Sequence, residues 1–202
     1  MDGSGGRYRG RAVNAGRQVK AIGLLPGMVT VVIPAAIVAI GGADVGWGLD
    51  GAWSALPVIG GTAAILAGLA LWYATVRLFA REGEGTLAPW DPTQRLVLAG
   101  PYRYVRNPMI TGVLLVLVGE AALLGSAGIL AWAAIFFTIN AVWFPLVEEP
   151  GLRRRFGPEY DEYRRRVPRW VPRTRPWPPR TAADPPGRSR APRPSRRGRP
   201  LR

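Results

Sequence analysis

Four apolar runs, Ile22 to Ala43, Ala52 to Phe79, Ile110 to Leu124 and Ala127 to Val147, alternate with polar stretches along the chain. The first carries no charged side chain, and its residues at 1.5 Å rise cover about 33 Å, enough to cross a hydrocarbon core near 30 Å. Pro26 and Pro34 predict a kink in it, tolerable where neighbouring helices satisfy the freed carbonyl. The second contains Arg77 as its one charge and collects Gly60, Gly61, Ala64, Gly68 and Ala74, side chains small enough for close helix contact. Trp72, Tyr73, Arg77 and Arg81 gather toward its end, as headgroup-level anchors do. The third is short for a full span and holds Glu120, with Gly112 and Gly119 nearby. A carboxylate in an apolar run needs a partner, a proton or an interface, and its closeness to the following turn favours the interface. Gly125-Ser126 predicts a tight turn, making the last two runs an antiparallel hairpin.

The segments between and after the runs have a different texture. Glu82 to Asn107 is polar, and Gly83, Gly85, Pro89, Asp91-Pro92, Gly100 and Pro101 divide it into turns around two short apolar pieces, Leu87 to Trp90 and Leu96 to Leu98. A connection of that length with little regular structure is read as a wall of a functional site. From Glu148 to Val167 the pattern becomes amphipathic: Leu152, Phe156, Tyr160, Tyr163 and Val167 recur at helical spacing, with arginines on the other faces and a break at Gly157-Pro158. The fold class expected is all-α: a polytopic membrane protein of about four transmembrane helices, the last two a hairpin, with amphipathic C-terminal helices on the cytosolic surface. Its domains are a disordered basic N-terminus (1–20), a membrane domain (21–172) and a disordered Arg/Pro-rich tail (173–202).

Charge sets the orientation. The net formal charge is +14, and ten arginines against the single acid Asp184 lie beyond Pro172. The N-terminal segment, the loop with Arg81, Arg95, Arg103 and Arg106, and the C-terminal region are basic, while the other two loops lack Lys and Arg. Four spans with both termini cytoplasmic, in the inner or plasma membrane, satisfy every loop. The basic tail suits anionic lipid headgroups better than nucleic acid. The basic N-terminal segment also has the look of a signal peptide, but the following run is too long and lacks a cleavage site, so an uncleaved first span is expected. With no cysteine and no histidine, thiolate nucleophiles, imidazole bases and the usual zinc sites are all excluded.

Candidate chemistry concentrates in Gly100-Pro101-Tyr102-Arg103-Tyr104-Val105-Arg106-Asn107-Pro108, set against the third run, and in Glu148-Glu149-Pro150, which closes the fourth on the same expected side. These marks, with Gly85-Thr86, Pro89-Trp90-Asp91-Pro92, Phe156-Gly157 and Val167-Pro168-Arg169-Trp170-Val171-Pro172, follow one another in an order that resembles the integral membrane methyltransferases, the family that includes isoprenylcysteine carboxyl methyltransferases and phospholipid methyltransferases. The resemblance covers roughly residues 83–172. It implies S-adenosylmethionine as cofactor, a lipophilic methyl acceptor (the carboxylate of an isoprenylcysteine-like substrate or another amphiphile), and the bilayer as partner, with no metal.

On that resemblance Arg106, Asn107 and Glu149 are the expected catalytic residues. Tyr102, Arg103, Tyr104, Arg106, Asn107, Pro108, Glu148 and Glu149 are expected to bind the cofactor, and Trp90 the acceptor. The charges suit a ligand that carries a sulfonium, an ammonium and a carboxylate: the glutamates meet cations and the arginines fork onto a carboxylate. In-line displacement at a methyl group demands alignment above all, and a sulfonium leaves without protonation. Isoprenylcysteine methyltransferases usually show Arg-His-Pro where this chain has Arg106-Asn107-Pro108; asparagine cannot act as a base, which favours an acceptor that is already ionised. A membrane reductase with a nicotinamide cofactor and a catalytically silent membrane module are the alternatives, each separated from the first reading by what the protein binds.

Overall fold

The computed structural model describes residues 25–82 and 96–178, and every regular element among them is helical. Helix α1 is Leu25–Gly41, α2 Ala55–Glu82, α3 Pro108–Leu124, α4 Ala127–Trp143 and α5 Glu149–Arg166. The continuous helical stretches Gly51–Leu78 and Ala127–Arg166 each contain a run long and apolar enough to cross a membrane, in the second case before α5 begins, while Leu25–Gly41 and Pro108–Leu124 are apolar but shorter. At 1.5 Å per residue each shorter helix covers about 25 Å. The protein is an all-α membrane protein. The N-terminal segment 1–20, Trp90 with most of its loop, and the chain beyond Pro178 lie outside the described residues.

The expected hairpin of α3 and α4 forms. Gly125 ends α3 in the left-handed region (φ 59°), and Ser126 caps α4 by accepting the amide of Ile129 at 3.4 Å. The closest helix pair is nevertheless α2 with α3, and its cause is a pair of glycines on each helix seven residues apart. Running antiparallel, Gly61 lies against Gly119 and Gly68 against Gly112: a Cβ built on Gly61 would stand 2.6 Å from the Gly119 carbonyl, and one on Gly68 2.6 Å from the Gly112 carbonyl. Backbone touches backbone, as small residues in membrane helices permit. Gly60 faces open space and has no part in the seam. On its other side α3 meets α4 and α1 through Val113, Leu117 and Ala133, with Val29, Trp132 and Phe136 packed around them.

Two π turns interrupt the helices, each with prolines close by. In α1, Met28–Val32 widens so that the amide of Ile33 bonds the Met28 carbonyl. The next amide in that register would come from residue 34, which is proline, and so the Val29 carbonyl is free to accept the indole N–H of Trp132 in α4 at 3.1 Å. The proline-induced defect is thus turned into an interhelical bond. Trp132→Phe is expected to keep the packing and lose about 1 kcal/mol of stability, read as a lower midpoint in thermal unfolding of the detergent-solubilised protein. The second π turn, Phe144–Glu148, contains Pro145, precedes Pro150 and joins α4 to α5.

The two ends of the helix assembly differ. At one end the loop after α1 lies on the α3–α4 turn, where the amide of Asp44 bonds the Leu124 carbonyl at 2.9 Å and the Trp47 indole bonds the Ala122 carbonyl at 3.1 Å. At the other end the segment before α3, the π turn and α5 come together. The amphipathic stripe of α5 does what its spacing predicts: Tyr160, Tyr163 and Val167 are buried, and Leu96, Leu98, Leu152, Phe156 and Trp177 pack against them. Gly157 (φ 53°, ψ −130°) followed by Pro158 breaks α5 as expected. The expected start of the tail at Arg173 falls inside packed chain, for Arg173 and Trp177 pair with the segment before α3. Trp177 supplies the apolar anchor that an Arg/Pro composition hides.

Candidate functional site

The segment Gly100 to Asn107 reaches α3 through a 3₁₀ turn, Gly100–Arg103, and then an irregular, bent stretch. Proline at the first helical position sacrifices no hydrogen bond, so α3 begins at Pro108; Asn107 sits just outside it (φ −119°, ψ 62°), its carbonyl accepting the Thr111 amide at 3.0 Å. The Asn107 side chain makes no capping bond. The chain after α5 runs back along this segment in the opposite direction. The amide of Arg106 bonds the Pro168 carbonyl, that of Arg173 the Tyr104 carbonyl and that of Trp177 the Arg103 carbonyl, each at 2.9 Å. Trp170 between them lies edge-on to Phe137 and Phe144, and its carbonyl accepts the Thr111 hydroxyl at 3.4 Å. This strap fixes where Arg106 stands relative to α3, α4 and the π turn.

Glu149 is the electrostatic centre. Successive helical residues point about 100° apart, so Glu148 and Glu149 cannot face the same way. Glu149 turns inward, and its Oε1 accepts from Arg106 at 2.8 Å and from both Nε (2.8 Å) and a terminal nitrogen (2.7 Å) of Arg169. Arg164 stands 3.7 Å from Oε2. With side chains only 10% and 6% exposed, Arg106 and Glu149 form a buried ion pair. Tyr160 lies against the same group: burial, then the Glu149 charge, pushes its hydroxyl up, while a hydrogen bond to Arg106 opposes that shift.

The other expected residues are distributed around this centre. Glu148 keeps accessible surface yet has enough protein around it that burial, with the charge of Glu149 second, raises its carboxyl above the ordinary range. The Tyr102 hydroxyl is enclosed, and burial followed by the Glu148 charge holds it well above the usual tyrosine value, so it stays protonated. The carbonyl of Tyr102 accepts the Tyr163 hydroxyl at 2.8 Å. Arg103 is committed to the strap through a 2.8 Å bond from Nε to the Trp177 carbonyl, and Tyr104 joins the strap through its backbone. Trp90 lies outside the described residues. Arg169, Tyr160 and Arg164 complete the charge cluster and were not among the expected site residues. Their signals were present, Arg169 inside the Val-Pro-Arg-Trp run and Tyr160 on the amphipathic stripe, but spacing alone does not say that they converge on Glu149.

Three buried donors at this end have no partner among the described residues: Nε of Arg106, a terminal nitrogen of Arg173, and the indole N–H of Trp72. Trp72 packs where α2 meets Gly112, one turn into α3. Buried polar groups are nearly always bonded, so three unfilled donors set this end of the molecule apart.

Apolar helices that converge on a buried Arg-Glu-Arg cluster at one end define a membrane protein with a polar site set at the margin of its apolar part. The chain belongs to the phospholipid methyltransferase family, which its residues 56–159 match. That stretch runs from α2 through the break in α5, and so contains Arg106, Asn107, Glu148, Glu149 and the glycine seam. The protein is accordingly a membrane methyltransferase. No curated protein and no solved structure matches the chain.

Proposed function

We propose that the protein transfers a methyl group from S-adenosylmethionine to a lipophilic acceptor at a membrane interface, with the site built around Arg106, Asn107, Glu148 and Glu149. The observation that carries the reading is the buried Arg106–Glu149 pair, which leaves Arg106 one enclosed nitrogen without a partner. An enclosed guanidinium N–H fits a carboxylate oxygen, and Glu148, raised and accessible, fits an ammonium. The donor set therefore suits the amino-acid end of the cofactor, which when bound supplies an electrophilic methyl on a sulfonium. Glu149, itself held by Arg169, fixes the Arg106 guanidinium, so its free nitrogen is set before any ligand arrives. Asn107, free of capping duty, offers an amide to either ligand, and the neighbouring tyrosines stay neutral and act as hydrogen-bonding walls. The acceptor reaches this end along the apolar helices, its polar group at the charge cluster and its chains against α3 and α4.

Calorimetric titration of the detergent-purified protein with S-adenosylhomocysteine and with NADPH tests the reading. Saturable binding of the first alone is expected, weakened about tenfold or more in Arg106→Lys, which cannot reproduce the fork. Because the Glu148 carboxyl is raised, its charge is lost on acidification at a higher pH than for an ordinary glutamate, and affinity is expected to fall with it; Glu148→Gln flattens that dependence. Binding of NADPH, or of neither ligand by folded protein, would overturn the assignment.

A further inference from the structure

On the outward side of Glu149 lies a cleft of about 410 Å³, and of its lining only Glu149 belongs to the proposed methyl-transfer site. Pro145 of the π turn, Pro150 at the start of α5, and Arg153, Arg154, Asp161 and Arg164 line it with Glu149. The carboxylates here are already engaged. Asp161 is 2.9 Å from Nε of Arg153, and Glu149, at the base, is held through Oε1 by Arg106 and Arg169. The cations are in excess. Arg154 is exposed and has no partner among the described residues, and Arg164 has only long contacts, 3.7 Å to Glu149 and 3.9 Å to Asp161.

Guanidinium groups with unfilled donors around a walled cleft suit a phosphate, which accepts from several forks at once. The cleft also opens beside the end of α4, where Trp143, Leu146 and Val147 are 55%, 70% and 47% exposed. A phosphate bound there would have apolar surface running away from it along the helix, an arrangement that matches a headgroup with acyl chains.

We infer that this cleft binds the phosphate of an anionic membrane lipid, through Arg153, Arg154 and Arg164 rather than through Arg106. The full-length protein, reconstituted in phosphatidylcholine nanodiscs containing a minority of phosphatidylglycerol, is released into detergent, and the lipids it retains are measured by native mass spectrometry. Retention of phosphatidylglycerol over phosphatidylcholine is expected, falling about tenfold in Arg154→Glu, a substitution at an exposed and unpaired position that leaves the fold intact. Arg164→Gln is expected to act in the same direction. Arg196→Gln/Arg197→Gln, which removes charge from the basic tail, is expected to leave retention unchanged. Equal retention in Arg154→Glu and the native chain, loss in the tail variant alone, or equal retention of phosphatidylcholine would overturn the inference. So would displacement of the lipid by an equal concentration of inorganic phosphate, which would assign the cleft to a soluble anion. Binding of S-adenosylhomocysteine by Arg154→Glu, expected to be normal, keeps this outcome distinct from the fate of the methyl-transfer site.

Discussion

Gly119→Ala is expected to destabilise the protein by about 3 kcal/mol, at the upper end of what overpacking costs, although alanine is the better helix former by roughly 1 kcal/mol. The added methyl would stand 2.6 Å from the Gly61 carbonyl and 2.7 and 2.9 Å from Cγ1 and the amide nitrogen of Ile65. Two of those three atoms are backbone, so no rotamer change can relieve the contact. The helices must part by several tenths of an ångström, and the seam at Gly68 and Gly112, equally tight, must open with them. Gly68→Ala should act the same way. Gly60→Ala is the internal control: nothing lies within 4 Å of its added Cβ, so only the propensity gain remains and a small rise in stability is expected. Thermal unfolding in one detergent ranks the three against the native chain. An unchanged midpoint for Gly119→Ala would show that α2 and α3 do not meet as described. Loss of the seam also shifts Pro108 and the charge cluster beyond it, so methyl transfer should fall with stability in Gly119→Ala.

The sequence made the apolar runs, the hairpin at Gly125-Ser126, the stripe from Leu152 to Val167 and the break at Gly157-Pro158 legible, because each is a local signal of periodicity or backbone chemistry. The tightest helix pair was less visible. Gly61, Gly68, Gly112 and Gly119 are ordinary singly, and only their matching spacing of seven on two antiparallel helices identifies the seam. The π turns were hidden for a related reason: Pro34 reads as a kink, and the partner that makes use of it, Trp132, lies about a hundred residues on. Arg106 and Glu149 were legible as candidates through the run of motifs, whereas the threefold arginine shell of Glu149 was not. Arg164 and Arg169 look like any other members of an arginine-rich surface until the strap folds back. That strap was itself obscured by composition, since Arg173 and Trp177 open a stretch that is otherwise arginine, proline and small residues.

Glu149→Gln is expected to cost about 3 to 5 kcal/mol and to abolish measurable methyl transfer, the largest effect of any single change at the site. The glutamine is nearly isosteric, so the loss isolates charge from shape. Oε1 receives three guanidinium N–H groups from Arg106 and Arg169, and in the amide both cations would face a neutral oxygen, Arg106 while still buried. Part of the damage is therefore positional: Arg106 would turn its fork toward other acceptors, and the free Nε edge, fixed by the native pair, would be lost. Glu148→Gln separates the two contributions. Its side chain is accessible, so stability should change little, and any fall in donor affinity or transfer reports ligand contact alone. If both glutamine variants lost activity while keeping native thermal midpoints, the inward carboxylate would be a ligand group like its neighbour. If Glu149→Gln alone unfolds early, the buried pair is the keystone that holds α5, the strap and the start of α3 in register, and the chemistry at Arg106 depends on that architecture.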